Sequence, residues 1–276
     1  MAKLVLVLAL VTLSLGGCMT KPTQAAPLVF LLMGQSNMSG RGDLADVLPG
    51  TLDPDPGVRV LGNDEVLRVA QEPLDSPQGQ IDEVSLDRAA GVGPGLAFAR
   101  AVRAAHPNSE IILVPCAKGG SPIAAWRPGG DRTTLYGSCL ARAARATAHG
   151  QIAGVLWYQG ESDAASSVLA AAWPLAFTEL VAALRSDLAA PDLPIVVVSI
   201  GDPPVTGRYA ARFPAWSEIQ AVQASLTIDN VRIVAAAGLP RNADELHLST
   251  AGQLALGRRM AETWLAQSTL GSQPVV

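Results

Sequence analysis

The feature of this sequence that most restricts its fold is a series of short, continuous apolar runs separated by helical patterns. The first run, Leu28–Met33, contains no polar residue. The four later runs are EIILVPC, IAGVLWYQ, PIVVVSIG and VRIVAAAG. A strand that is apolar at nearly every position is buried on both faces, as in a parallel sheet covered by helices. The pattern therefore predicts an α/β fold with a mainly parallel, five-stranded sheet and helices on both faces.

The segments between these runs predict five helices. They cover the stretch from Pro94 to just before Pro107, Leu135–Ala148, about 166–189, about 215–226, and Thr250–Gln267. The third helix contains Pro174, which we expect either to kink it or to mark a new start. Residues 43–90 are rich in Pro, Asp and Gly and have little periodicity. There we expect loops and short strands that lie over one face.

Length and composition restrict the class of protein further. The chain has 276 residues, of which 49% are hydrophobic and 16% charged, with a formal net charge of -4. This is enough for one sizeable domain, and without a basic patch we do not expect a nucleic-acid partner. The three histidines and three cysteines fit no zinc spacing, so we expect no structural metal site.

The N-terminus, MAKLVLVLALVTLSLGGC, has the charge and the short apolar run of an export signal. Its end, Leu15–Cys18, resembles a bacterial lipobox, which predicts a signal peptide at 1–17 and a lipidated Cys18. The alternative is ordinary cleavage near Ala25–Ala26. Either way we expect export, as a cell-envelope lipoprotein or otherwise as a periplasmic or secreted protein, with membrane contact only through the anchor. The remaining boundaries are a linker at 18–27, one domain at 28–268 and a tail at 269–276.

Two cysteines, Cys116 and Cys139, remain in the mature chain. In an oxidising compartment they can pair, provided that the fold brings them within bonding distance. Two free, buried thiols are the alternative, and the sequence leaves this choice open.

The unusual polar clusters of the chain all follow predicted strands. Ligands of such sheets bind beyond the carboxyl ends of the strands, where these clusters are expected to meet. Two serines there, Ser36 and Ser162, are candidate nucleophiles, and spacing alone does not choose between them. The candidate base is His247, because the other two histidines lie at predicted helix ends. Asp244 stands three residues before it and can orient its imidazole.

Four blocks in these loops carry a family resemblance: GQSNMSGRG, PCAKGGSPIAAW, WYQGESDA and DELHLS. In this order they resemble the blocks of SGNH/GDSL-type esterases. More narrowly, they are similar to the carbohydrate esterase branch that contains sialate O-acetylesterases and family 6 acetylxylan esterases. The likeness runs from about residue 28 to 265. It implies a three-layer α/β/α, flavodoxin-like domain that removes O-acetyl groups from carbohydrate through an acyl-enzyme intermediate, without metal or cofactor.

The resemblance also implies roles for individual residues. Ser36 is the nucleophile, His247 the general base and Asp244 its partner. The oxyanion hole takes the backbone N–H groups of Ser36 and Gly119, with Gln159 in place of the asparagine that the wider superfamily uses. Three alternative functions remain: a short-acyl esterase or thioesterase with a non-sugar substrate, an inactive carbohydrate-binding relative, and an α/β-hydrolase that uses Ser162.

Four more residues in these loops have two interpretations, with Glu161 and Asp163 taken as a pair. Arg41 either meets an anionic or sugar substrate or forms a structural salt bridge. Trp126 either stacks on a sugar or packs in the core. Glu161 and Asp163 resemble the paired carboxylates of glycosidases, but one short loop cannot flank a glycosidic bond from both sides. We therefore expect this pair to support the loop.

Overall fold

The buried apolar runs form strands of a single seven-stranded sheet in a computed structural model, which describes residues 26–270. The strands are β1 (Leu28–Gly34), β2 (Val58–Leu61), β3 (Leu67–Val69), β4 (Ile111–Pro115), β5 (Gln151–Tyr158), β6 (Ile195–Ser199) and β7 (Val231–Ala235). The helices are α1 (Ser36–Ser39), α2 (Gly95–Ala105), α3 (Leu135–Ala146), α4 (Ser167–Asp187), α5 (Trp216–Ala224) and α6 (Thr250–Leu270). The mainly parallel α/β architecture predicted from the sequence is confirmed.

The predicted number of five strands is wrong. The sheet has the order β3-β2-β4-β1-β5-β6-β7, and all neighbours are parallel except β2 and β3. The two additional strands come from the irregular region 43–90. β2 has four residues, and β3 has three, none of them buried. Because an edge strand of this kind needs no continuous apolar run, the sequence carried little signal for it.

Helices cover both faces of the sheet. On one face Phe30 of β1 meets Phe98 of α2 and Trp264 of α6 edge-to-face, with ring centroids 4.8 and 5.0 Å away. On the other face Trp157 of β5 contacts Phe177 of α4. These aromatic rings pack between the sheet and the helices on each face, and such offset or edge-on ring pairs are favoured.

Helix α4 runs through Pro174 as one helix rather than restarting there. By length and hydropathy it is the one helix of residues 26–270 that is suited to cross a membrane. However, Trp173, Phe177 and Leu180 of its inner face are buried in the core. We therefore regard it as a core helix of the domain.

The two cysteines of the domain lie close together. Cys116, just after β4, and Cys139 of α3 form a disulfide, which answers the question that the sequence left open.

Helix α6 reaches Leu270, past the predicted domain end at 268. The predicted signal peptide and Cys18 lie outside the described residues.

The position of β1 decides where a site can form. β1 is central, with β4 on one side and β5 on the other, and the later strands β6 and β7 extend the sheet beyond β5. After β1 the chain first forms β2, β3 and β4 on one side of it and then β5, β6 and β7 on the other, so the strand order reverses next to β1. A crevice opens at such a point beyond the carboxyl ends of the strands.

Candidate active site

Ser36 lies in a tight turn directly after β1. Gly34 has φ 126°, and a Cβ there would lie 2.1 Å from the carbonyl oxygen of Tyr158 on β5. Only glycine allows this close approach in this conformation. The chain then turns so that Ser36 begins the one-turn helix α1, with its side chain at the rim of the crevice.

The structure brings Ser36, His247 and Asp244 together in a chain of hydrogen bonds. His247 Nε2 lies 3.1 Å from Ser36 Oγ, and His247 Nδ1 lies 2.7 Å from Asp244 Oδ2. The other Asp244 oxygen accepts the backbone N–H groups of Leu246 and His247, each at 3.0 Å. The carboxylate thus closes its own four-residue turn and fixes the imidazole at the same time. Among residues 26–270 no histidine hydrogen-bonds Ser162, the competing serine.

The environments of the two ionisable groups suit proton transfer. Burial works to raise the pKa of the Asp244 carboxyl, but hydrogen bonds from the backbone and imidazole of His247 outweigh it and lower the pKa. Burial, together with the charges of Arg41 and Arg208, lowers the pKa of His247 and outweighs the hydrogen bond and charge of Asp244, which raise it. At neutral pH the imidazole is therefore neutral, with Nδ1–H donated to Asp244. Its Nε2 lone pair is then free to take the hydroxyl proton of Ser36.

A cleft with a volume of about 670 Å³ opens over Ser36 and His247. One wall is formed by the loop after β6. There Tyr209 meets the His247 ring edge-on, with centroids 6.3 Å apart. The guanidinium groups of Arg208 and Arg212 lie over the Tyr209 ring, 4.6 and 5.8 Å from its centroid. The cleft thus combines aromatic and cationic groups close to the reactive hydroxyl.

Two of the predicted oxyanion donors are turned away from this cleft. The N–H of Gly119 donates to Asp87 Oδ2 at 2.9 Å. The Gln159 side chain is fully buried: its nitrogen donates to the Asp163 carboxylate and Ser121 carbonyl, and its oxygen accepts from Trp173. In this structure both donors already have hydrogen-bond partners, so the geometry of the described residues does not support these two predicted roles.

Other donors face the cleft instead. Within residues 26–270 the backbone N–H groups of Ser36 and Gly120 and the amide nitrogen of Gln35 have no hydrogen-bond partner, and all three residues line the cleft. Gly120 has φ 74°, and a Cβ there would point into open space. The oxygen of Gln35 accepts the N–H of Ser162 at 3.2 Å, which leaves its NH₂ group for the cleft.

Asp87 is the residue of this site that sequence reasoning missed. Its Oδ2 accepts from Ser39 Oγ at 2.9 Å, from Arg41 Nη2 at 2.7 Å and from the Gly119 N–H. It therefore ties the turn after β1 to the loop after β4. Asp87 lies in the irregular region 43–90, and no local motif marks it. Arg41 lines the cleft, so it combines the salt bridge and the cleft position that the sequence offered as alternatives.

The remaining candidates support the loops. Trp126 is fully buried, packs edge-on against Trp157 and donates to Ser121 Oγ at 3.0 Å, so it is a core indole. Glu161 is buried and accepts from Asn37 at 2.8 Å. Asp163 accepts from the N–H of Ile123.

No group of three or more His, Cys, Asp or Glu side chains within residues 26–270 is arranged to hold a metal ion.

The fold and the site define a class of protein. A three-layer domain with a serine directly after its first strand, and an Asp-x-x-His turn before its last helix, is a hydrolase of the SGNH type.

The comparisons with known proteins identify the family. Residues 27–266 match the model of the family "Carbohydrate esterase, sialic acid-specific acetylesterase". A protein of Arabidopsis thaliana described as a "probable carbohydrate esterase" is 35% identical over 273 residues, which cover 91% of this chain and 98% of that protein. The chain therefore belongs to this family of carbohydrate acetylesterases and is a carboxylic ester hydrolase.

Solved structures have the same fold. The Arabidopsis thaliana protein superimposes with a TM-score of 0.75 at 34% identity, covering 87% of this chain and 98% of its own. The structure of NanS has a TM-score of 0.64 at 21% identity and covers 90% of this chain and 99% of its own. A carbohydrate acetylesterase from Xanthomonas citri has a TM-score of 0.57 at 22% identity, covering 84% and 54%. Because the sequence identity of the last two structures is 21% and 22%, the likeness to them shows a shared fold alone.

Proposed function

We propose that this enzyme removes O-acetyl groups from a carbohydrate by a serine mechanism with an acyl-enzyme intermediate. The observation that carries the proposal is the position of His247, which contacts Ser36 Oγ at 3.1 Å with one ring nitrogen and Asp244 with the other. A binding protein has no need for an oriented base beside a hydroxyl. The family membership supports acetylated carbohydrate as the substrate.

The geometry supports the following sequence of steps. Ser36 Oγ attacks the acetyl carbonyl carbon while its proton moves to His247 Nε2, and Asp244 stabilises the imidazolium. The negative charge that develops on the carbonyl oxygen is met by the N–H groups of Ser36 and Gly120 and by the Gln35 amide. His247 then returns the proton to the sugar oxygen as the C–O bond breaks. The same imidazole deprotonates a water molecule, which releases acetate and restores Ser36.

The walls of the cleft support an acidic sugar as the alcohol part of the ester. Tyr209 and Phe213 provide flat apolar surface of the kind that sugars stack on, and both line the cleft. Arg208 and Arg212 place two positive charges beside this surface. An O-acetylated sialic acid therefore suits the cleft better than neutral acetylxylan.

Hydrolysis of 4-nitrophenyl acetate by Ser36→Ala and Ser162→Ala tests the mechanism. We expect Ser36→Ala to lose at least about 10³-fold in kcat, because the base then has no nucleophile to activate. Ser162→Ala retains most of the activity, and a rapid-quench mass spectrum of the wild type locates the acetyl group on the Ser36 peptide. Activity that survives in Ser36→Ala but disappears in Ser162→Ala would transfer the nucleophile to Ser162.

A substrate panel tests the carbohydrate part of the proposal. It contains an O-acetylated sialic acid, acetylxylan, an acetylated neutral monosaccharide and a short-chain non-sugar ester and thioester. We expect the highest kcat/KM with the acidic sugar. Preference for the non-sugar ester or thioester would instead identify a short-acyl esterase, and no turnover of any ester would indicate a carbohydrate-binding relative.

We also propose that the protein is exported and anchored through a lipidated Cys18. The support is the N-terminal sequence and the Cys116–Cys139 disulfide, because structural disulfides persist mainly in oxidising compartments.

A further inference from the structure

The side chain of Asn37, the residue after the nucleophile, contacts the chain on both sides of His247. Its Oδ1 accepts the backbone N–H of Leu248 at 2.9 Å, and its Nδ2 donates to the carbonyl oxygen of Leu246 at 3.2 Å. Asn37 is fully buried. The turn that carries the base is thus bonded to the turn that carries the nucleophile, across 211 positions of sequence.

Glu161 determines which way the Asn37 amide points. Its Oε1 accepts from Asn37 Nδ2 at 2.8 Å, and its side chain is almost fully buried. The carbonyl oxygen of Leu246 can only accept, and Glu161 Oε1 accepts both in the carboxylate and as the C=O oxygen of the neutral acid, so the NH₂ group faces these two oxygens. The Asn37 oxygen is then directed to the Leu248 N–H. A flipped amide would oppose acceptor to acceptor at Glu161 and at Leu246, and donor to donor at Leu248.

The Asp244–His247 turn is well bonded internally, but those bonds do not fix its distance from Ser36. The Asp244 carboxylate bonds the backbone and the imidazole of the same turn. A second bond to the nucleophile side comes from Asn242, whose side chain donates to the Arg41 carbonyl at 2.9 Å. The two hydrogen bonds of Asn37 are the attachment closest to His247, because they hold Leu246 and Leu248, the residues immediately before and after His247.

Resting on the proposed esterase mechanism, we infer that Asn37 and Glu161 are positioning residues that hold His247 Nε2 at hydrogen-bonding distance from Ser36 Oγ. A shift of about 1 Å in a catalytic group can cost about 10²-fold in rate. Loss of either residue frees the His247 turn to move outward while Ser36, His247 and Asp244 all remain present.

The variants Asn37→Ala, Glu161→Ala and Glu161→Gln test this inference. Burial raises the pKa of Glu161 to about 7, and glutamine reproduces the shape and the acceptor oxygen of its neutral form. We expect both alanine variants to lower kcat for 4-nitrophenyl acetate by about 10- to 100-fold with KM within about twofold. Glu161→Gln keeps kcat within about threefold. The double variant Asn37→Ala/Glu161→Ala loses no more than the worse single variant, because the two residues act as one unit.

The titration of His247, followed by NMR, gives a readout that does not depend on turnover. The sequence has only three histidines, so the His247 signals can be assigned against His106→Gln and His149→Gln variants. Burial is the largest influence that lowers the His247 pKa. In the two alanine variants we therefore expect this pKa to rise toward the ordinary value, and in Glu161→Gln to stay where it is in the wild type.

Asn63→Ala is the matched control for a general loss of stability. Asn63 is also a buried asparagine bound to a buried carboxylate, with Nδ2 2.7 Å from Asp75 Oδ1, and it does not line the cleft. We expect it to lower the melting temperature as Asn37→Ala does, with kcat and the His247 titration unchanged. The inference is overturned if Asn37→Ala alters kcat and the His247 pKa no more than Asn63→Ala does. A wild type that hydrolyses no ester sinks the esterase proposal, whereas the His247 titration still decides whether Asn37 and Glu161 position the imidazole.

Discussion

At the scale of single residues, the chemistry of Ser36 is set by groups that its own sequence segment does not contain. By local pattern, GESDA around Ser162 is nearer to a nucleophile elbow than GQSNM around Ser36. The tertiary structure places His247 beside Ser36 and leaves Ser162 without a base among the described residues. Reactivity here is a property of the hydrogen-bonded chain, in which the imidazole of His247 is placed to accept a proton from Ser36.

The pH dependence follows from the state of that imidazole. The proposed mechanism needs neutral His247, so kcat/KM should rise as pH increases through the pKa of this group. Because burial lowers this pKa, we expect the half-maximal point of the acid limb to lie below the ordinary imidazole value of 6.5. The measurement is kcat/KM for 4-nitrophenyl acetate across the acid range in buffers of constant ionic strength.

Asp244→Asn is the companion variant for this profile. It removes an influence that raises the His247 pKa, so the acid limb should move to still lower pH, with kcat reduced by about 10²- to 10⁴-fold. An acid limb above the ordinary imidazole value in the wild type, or one that stays in place in Asp244→Asn, contradicts this account of the base.

At the scale of elements, the site depends on bonds between loops that follow different strands. Asp87 connects the turn after β1 to the loop after β4 and thereby decides which glycine presents its N–H to the cleft. Burial works to raise its pKa, but the hydrogen bond and charge of Arg41 and the hydrogen bonds from Ser39 and Ala89 together outweigh it, and the pKa is lowered. Asp87 is therefore ionised at neutral pH and acts as a charged anchor for both loops.

Replacing Asp87 by asparagine should damage the enzyme in two ways. The NH₂ group of asparagine opposes one of the donors now held by Asp87, and Arg41 loses its charged partner in a largely buried setting. We expect about 3 kcal/mol less stability toward urea and a fall of about 10- to 100-fold in kcat/KM as the Gly119–Gly120 turn loosens.

The control for Asp87→Asn is Asp64→Asn. Asp64 pairs with Arg68 at 2.9 Å, but this pair is more exposed, and neither residue lines the active-site cleft. Its removal should cost at most about 1 kcal/mol and leave kcat/KM unchanged. If the two variants lose equal stability and equal kcat/KM, Asp87 is only a charged partner of Arg41 and does not hold the two loops in place.

At the scale of the whole molecule, the sheet separates the proposed anchor from the reactive cleft. β1 begins with Leu28 at the amino end of the parallel strands, and Ser36 follows it at their carboxyl end. The linker 18–27 can span at most about 36 Å when extended at about 3.6 Å per residue. A lipid on Cys18 would therefore be joined to the end of the sheet opposite the cleft.

Cys18→Ala tests the anchor without touching the described domain. We expect the variant to move from the membrane fraction to the soluble fraction of the cell envelope or medium. Its kcat/KM for 4-nitrophenyl acetate should equal that of the wild type, because the cleft lies at the carboxyl end of the strands, away from the start of β1. Membrane retention of Cys18→Ala to the same degree as the wild type would exclude lipidation at this residue.

The sequence by itself determined the features that depend on local pattern and on chain order. Continuous apolar runs predict buried strands, helical spacing predicts the helices between them, and parallel strands must deliver their following loops to one edge. These features place Ser36, Ser162, Asp244 and His247 at the same end of the sheet, and the resemblance of the four sequence blocks to SGNH-type esterases selects Ser36 over Ser162. The short edge strand β3 could not be predicted, because it is only partly covered and carries no run.

Only the tertiary structure decided the direction of individual donors and side chains. Gly119 and Gly120 are neighbours in sequence, yet Asp87 takes the N–H of the first, and the second faces the cleft. Gln159 is held by Asp163 and Trp173, whereas Gln35 keeps a free amide nitrogen at the cleft among the described residues. The physical reason is that a hydrogen bond to a distant partner chooses between orientations that are nearly equal in energy for the isolated loop.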